Sequence, residues 1–245
     1  MKRFYEKNEL YFALTWIGVY VVLLSLGDNV SASVGIRSIA TLPIAFLLCF
    51  SLFMFLKNNH LLHKYGLIKP RIDSKKMLYY VPLILLLCTN LLYGVGIYYS
   101  IFEIILYVLT MFCVGFLEEV IFRGLLFHYL KKDSLKWAII ITSLTFGMGH
   151  IVNLINGSGA ELFSNILQVI YAAAAGFMFV MVYIKCDSLI PCIITHGIFN
   201  ALSIFASPFV AEHENILGAL FMIVVSGGYA FYLHNIKTDD YETSK

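Results

Sequence analysis

This chain carries very little charge. Asp, Glu, Lys and Arg make up 13% of its 245 residues, against 60% apolar and 16% aromatic. Soluble domains carry about 25% charged residues, so an ordinary water-soluble fold and any sizeable disordered tail are excluded. A mean hydropathy of +0.83 says the same. Other absences narrow the chemistry. The five cysteines, Cys49, Cys88, Cys113, Cys186 and Cys192, form no CxxC or Cys/His spacing, which argues against a disulfide framework and reads them as small buried hydrophobes. No glycine-rich phosphate loop, HExxH or GxSxG pattern occurs. No repeat or low-complexity stretch divides the chain, so residues 1–245 read as a single membrane-embedded domain. The first apolar run has no small-residue cleavage site followed by a polar region, and reads as a retained span and not a signal peptide.

What is present is a series of long apolar runs. A membrane-crossing helix needs about 20 mainly apolar residues, and eight runs qualify, with loose ends: 10–26, 34–56, 77–99, 101–130, 135–155, 162–184, 188–206 and 215–233. The fourth is long enough to tilt or to pass the membrane surface, and the third and fourth nearly touch at Ser100. The expected fold is an all-α polytopic bundle of about eight transmembrane helices. Cytoplasmic segments carry the excess Lys and Arg. With the N-terminus inside, 15 of the 17 basic residues fall on the inner side, the last of them Lys237 and Lys245. Arg37 stands near an outer loop and Arg123 inside the membrane. Both termini are therefore expected in the cytoplasm.

Against that background Glu118, Glu119 and Arg123 stand out, three charges within six residues of an apolar stretch. Ionisable residues inside a bilayer are costly and read as functional by default. At about 1.5 Å per residue, Glu118 lies roughly 20 Å from Lys131, His150 roughly 21 Å from Lys136, and His196 and Asn200 roughly 13 to 20 Å from Asp187. Polar groups from three helices thus reach one depth. Glu119 and Arg123 are spaced i,i+4 and suit an ion pair. Glu118, rotated about 100° from Glu119, is left as a lone carboxylate poised to accept a proton, the property a general base needs. His196 and Asn200 share a helix face; His can donate or bind metal, and Asn can donate to an oxyanion. Phe146-Gly-Met-Gly-His150 sets a histidine beside small residues, and Ala172 to Gly176 form a second small face for close packing. Asn153 and Asn156 either line an outer vestibule or end the helix. Asn90 and Gln168 read as interhelical hydrogen-bonders.

The ordered set Glu118-Glu119-xxx-Arg123, Phe146-xxx-His150 and His196-xxx-Asn200 resembles the three motifs of the CPBP intramembrane proteases. These are the CaaX prenyl endopeptidases and the related bacteriocin-processing Abi proteins. The resemblance runs from about Cys113 to Leu202, within a motif-bearing core of about 110–206. It implies an intramembrane endopeptidase, glutamate-dependent or metalloprotease. Glu118 would activate water with His150, His196 and Asn200 would hold the oxyanion, and Glu119 and Arg123 would keep the site in shape. It also allows a zinc on Glu118, His150 and His196 with one open position. The metal-free account is preferred, because no further carboxylate near the histidines offers the usual outer support. The implied partners are the lipid bilayer and a membrane peptide or protein substrate, with no nucleic acid. A composition rich in Ile, Phe, Lys and Asn suggests a bacterial plasma membrane and a pheromone, bacteriocin leader or anchored regulator as substrate. Two other classes compete: a proton-coupled transporter using a Glu/His relay, and a non-catalytic immunity or regulatory scaffold.

Overall fold

In lipid each backbone N–H and C=O must be satisfied within the protein, which drives apolar runs into helices. The computed structural model describes residues 1–156 and 161–236. Lys237 and Lys245, assigned above to the inner side, lie outside the described residues. In chain order the helices are α1 (Lys2–Lys7), α2 (Glu9–Val34), α3 (Thr41–Asn58), α4 (Val81–Cys88), α5 (Ile101–Glu118), a π-helical stretch Glu119–Leu126, α6 (Phe127–Leu130), α7 (Leu135–Gly149), α8 (Leu162–Cys186), α9 (Ile190–Leu202) and α10 (Glu212–Asn235). All eight predicted runs contain helix. Among the described residues six stretches are long and apolar enough to cross a membrane: Glu9–Val34, Thr41–Asn58, Ile101–Leu130, Leu135–Leu154, Leu162–Cys186 and Glu212–Asn235. The other two runs give shorter apolar helices, Leu78–Leu91 and Ile190–Phe205.

The run 77–99 departs most from expectation. Leu78, Tyr79 and Tyr80 have φ of 50°, 50° and 59°, a left-handed turn that helix geometry cannot continue. Pro82 then sits in the first turn of α4, where its missing N–H costs nothing. Past Leu91 the chain leaves the helix, with Gly94 at φ 119°. It lies against the segment after α9, where Gly96 N–H donates to Phe205 O at 2.9 Å and Ser207 N–H donates to Gly94 O at 3.1 Å. The close junction at Ser100 is settled by a capping box. Glu103 N–H donates to the Ser100 hydroxyl at 3.3 Å, and Ser100 N–H donates to the Glu103 carboxylate at 3.2 Å, which starts α5 crisply.

The basic segments gather at one end of the bundle. Lys64 and Lys132 both reach Glu9 at 2.7 Å, Arg71 reaches Asp187 at 2.8 Å, and Lys185 donates to Ile236 O at 2.7 Å. Burial pulls the Lys64 ammonium toward neutrality, but the Glu9 carboxylate and the Tyr5 hydroxyl outweigh it and hold its pKa above the usual lysine range. The first helix and residue 236 therefore lie at the same end. At the other end Arg37 N–H donates to Glu103 at 3.3 Å and its guanidinium to the Tyr99 hydroxyl at 2.7 Å.

Inside a membrane, helices associate through close packing more than through burial from water. Many large apolar side chains face outward, among them Phe46, Leu47, Phe50, Ile84, Val224 and Phe231, where acyl chains would meet them. Close approaches are made at small residues. A Cβ on Gly115 of α5 would stand 2.8 Å from Gly197 N of α9, and one on Gly147 of α7 would stand 2.7 Å from Val169 O of α8. Gly176 likewise packs on Ser143. Gly115→Leu is expected to cost about 1–3 kcal/mol by overpacking and to lower the thermal midpoint in detergent. Gly18→Ala, where nothing lies within 4 Å, is expected to leave the midpoint in place.

Candidate active site

Helical periodicity builds the site. On α5 and its continuation Glu103, Tyr107, Val114, Glu118 and Phe122 fall on one stripe, and on α2 Tyr20, Leu24, Asp28 and Ser31 do the same. These two stripes, with His150 and Asn153 at the end of α7 and Asn200 of α9, line a cavity of about 610 Å³. Glu118 stands near its inner limit and is 8% exposed.

The Glu118 carboxylate has a neighbour on each side. The Tyr20 hydroxyl donates to Oε1, and Oε2 faces His196 Nε2 at 3.3 Å with no in-line donor among the described residues. Glu119 and Arg123 are both fully buried, and the guanidinium donates to Glu119 Oε1 at 3.1 Å. The same oxygen lies 2.9 Å from His196 Nδ1. A carboxylate oxygen can only accept, so Nδ1–H is the donor and the ring is fixed in orientation. His196 therefore stands between two adjacent glutamates, donating to Glu119 through Nδ1 and facing Glu118 with Nε2. This corrects the view of Glu118 as an unpaired carboxylate: Tyr20 is its hydrogen-bond partner, and His196 Nε2 stands beside it at 3.3 Å. The gap of about 100° between neighbouring helix positions does separate Glu118 from the Glu119–Arg123 pair. Helix α9, held against α5 at Gly115 and Gly197, lies along the edge between them.

Aromatic rings complete the enclosure. The Arg123 guanidinium lies 4.1 Å from the Phe146 ring centroid and 5.7 Å from that of Phe179, so cation–π attraction serves a group whose Nε and Nη2 lack acceptors among the described residues. Phe146 meets His150 and His196 edge-on at 5.5 and 5.7 Å, and Phe179 stacks on His196 at 5.8 Å. The π-helical stretch begins at Glu119 and ends at Leu126, a geometry rare elsewhere and frequent at functional sites. The i,i+4 ion pair survives the wider turn.

Of the predicted residues, Glu118, His150 and Asn200 line the large cavity. His196 stands behind Glu118 and faces a smaller space of about 60 Å³, whose wall His150 and Asn200 share. Asn153 donates to Gln168 at 3.0 Å, and both line the large cavity, the vestibule alternative. Asn90 donates to Phe199 O at 2.6 Å across helices. Two residues escaped the sequence reading. Tyr20 lay in a stretch credited only with spans, although it is 11 residues into α2, roughly 17 Å from the basic end and so level with Glu118. Asn165, 2% exposed, donates to His150 O at 2.8 Å and pins the end of α7.

The expectation that no carboxylate would support the histidines is overturned by Glu119, which accepts from His196. Glu118 and His196 approach each other closely enough to share a metal. His150 does not complete the set, since no cluster of three His, Cys, Asp or Glu side chains able to hold a metal occurs among the described residues. The residues as placed do not fit a three-ligand zinc.

Residues 100–202 match a family model described as type II CAAX prenyl endopeptidase Rce1-like. No curated protein and no solved structure matches the chain. The matched stretch opens at the Ser100 cap and closes at the end of α9, so it holds all three motifs and leaves Tyr20 outside. Residues 100–202 are thus similar to the Rce1-like CPBP proteases, and they are set in an integral membrane protein that crosses the bilayer several times.

Proposed function

We propose that this protein is an intramembrane endopeptidase in which Glu118 is the general base. The observation that carries the reading is the position of Glu118 near the inner limit of a cavity, held by Tyr20 and faced by His196, with His150 and Asn200 on the wall. In lipid a peptide bond is screened from water, so hydrolysis there needs a polar cavity and a positioned water. Water held between Glu118 and His150 attacks the carbonyl carbon while Glu118 takes one of its protons. The carbonyl oxygen becomes the oxyanion, to which Asn200 donates through its amide N–H and His196, as the imidazolium, through Nε2–H from the space they share. The C–N bond then breaks as Glu118 returns the proton to the leaving nitrogen, giving a carboxylic acid and an amine and restoring the glutamate. Glu119 orients His196, and Arg123 balances Glu119. The domain is the whole chain 1–245, with the chemistry in its core of about 110–206.

The substrate is a membrane-associated peptide or protein, and the family description makes a lipidated C-terminal peptide the first to try. The test is the membrane peptidome of cells carrying wild type or Glu118→Gln at equal protein levels. Specific peptides are expected in the first and missing from the second; identical peptidomes would overturn the reading. Tyr20 gives a second expectation. A hydrogen bond to a charged group is worth about 1.5–3 kcal/mol, so Tyr20→Phe is expected to lower kcat by roughly 10- to 100-fold. KM should hold, because the hydroxyl contacts the base and not the substrate, and steady-state kinetics on a peptide found in the peptidome would show the split.

A further inference from the structure

We infer that the substrate reaches Glu118 from the extracytoplasmic face, as an extended peptide segment of about six residues. The inference rests on the protease reading above and adds the side and the form in which the substrate is presented. The first observation is where the cavity leads. Its lining runs from Glu118 to Glu103, Gly35 and Arg37, the first of these three half-buried and the other two exposed at the end of the bundle opposite the lysine clusters. The distance along α5 from Glu118 to Glu103 is roughly 22 Å.

The second observation is that the other direction is closed. Between Glu118 and the basic end stand Ile121, Leu125 and Phe127, packed with Phe12, Leu56 and Tyr65, each no more than 3% exposed. No peptide passes that layer without unpacking it. The third observation is the charge asymmetry. The described basic clusters, built on Lys64, Lys132, Arg71 and Lys185, sit at the closed end, and basic segments mark the cytoplasmic side. The open end is thereby extracytoplasmic.

The lining chemistry determines the form of the substrate. Between the mouth and Glu118 the wall carries the amide of Gln168, whose oxygen accepts from Asn153 and whose N–H has no acceptor among the described residues, and the carboxylate of Asp28, whose Oδ1 accepts from Thr41 and leaves Oδ2 to accept again. Such groups suit the backbone N–H and C=O that an extended strand leaves unpaired and give nothing to a helix that satisfies its own. At about 3.3 Å per residue, roughly 22 Å holds six or seven extended residues. The scissile bond therefore lies beyond a short unwound segment or tail exposed outside the cell.

Accessible cysteines test this whatever the substrate proves to be. In a background with the five native cysteines replaced by Ala, Arg37→Cys and Met111→Cys report the mouth and the shaft, and Lys136→Cys reports the basic end. The probe is a membrane-impermeant methanethiosulfonate. The expected result is that Arg37→Cys and Met111→Cys react in intact cells, that Lys136→Cys reacts only in inverted vesicles, and that labelling Met111→Cys from outside lowers the Glu118-dependent peptides at least tenfold, reversed by reductant. Reaction of the shaft only from the cytoplasmic side, or full labelling from outside with peptides unchanged, would overturn the inference. If no Glu118-dependent peptide exists, the protease reading itself fails and takes the inference with it, and the labelling still shows which membrane face the shaft opens to.

Discussion

Glu118→Gln is expected to slow cleavage by a factor of about 10² to 10⁴, the range general-base catalysis contributes, while the protein folds and accumulates as before. The substitution is isosteric. The Gln carbonyl oxygen still accepts from Tyr20, so the packing of α2 on the π-helical stretch has no reason to change. What is lost is the ability to take a proton from water. Glu118→Asp keeps the carboxylate but withdraws it by one methylene, away from the Tyr20 hydroxyl and from His196 Nε2, which stands at 3.3 Å in the parent. It should fall between the two, since a misplacement of about 1 Å can cost 10²-fold. The measurement is the rate at which membranes of each variant release a peptide that depends on Glu118, set against the thermal midpoint of the purified protein. A Gln variant that keeps more than roughly a tenth of the parent rate would remove Glu118 from the role of base.

The parts of this molecule that were legible in its sequence are those set by local chemistry. Apolar run length predicted the helices, because a bilayer leaves the backbone little alternative. It failed for 77–99, where three left-handed residues, Pro82 and Gly94 interrupt a run whose hydropathy is unbroken. The Glu118, His150 and His196 motifs were visible because charge and imidazole are expensive in an apolar span, and the i,i+4 spacing gave the Glu119–Arg123 pair. The neighbours of Glu118 were not visible. Tyr20 lies 98 residues away in sequence, and a tyrosine in an apolar run has many ordinary uses. The position of His196 between the two glutamates depends on where α9 crosses α5, which Gly115 and Gly197 decide by letting two backbones touch. Neither glycine announces that contact. The π-helical stretch was equally hidden, since an unbroken apolar run serves a turn of either width.

Arg123→Met is expected to destabilise the protein by about 3–5 kcal/mol, the usual cost of removing one partner from a buried ion pair. Glu119 would be left as a carboxylate at 0% exposure, with His196 as its remaining partner, and the Phe146 face would lose the guanidinium it covers at 4.1 Å. For a chain of this length such a loss lowers the thermal midpoint by roughly 6–20 °C. Two double variants then separate folding from chemistry. Glu119→Leu with Arg123→Met removes both charges, and a buried pair replaced by apolar groups is often tolerated, so the midpoint should recover. Activity should not, because His196 Nδ1 has lost its acceptor. Glu119→Gln with Arg123→Met also removes both charges but keeps a carbonyl oxygen for that nitrogen, and should recover the midpoint and part of the activity. The three variants, measured for thermal midpoint in detergent and for release of the Glu118-dependent peptide, divide the work of Glu119 into charge balance and orientation of His196. Equal activity in the two doubles would show that the hydrogen bond to Nδ1 does not matter, and an unchanged midpoint in Arg123→Met would show that the pair does not hold the site together.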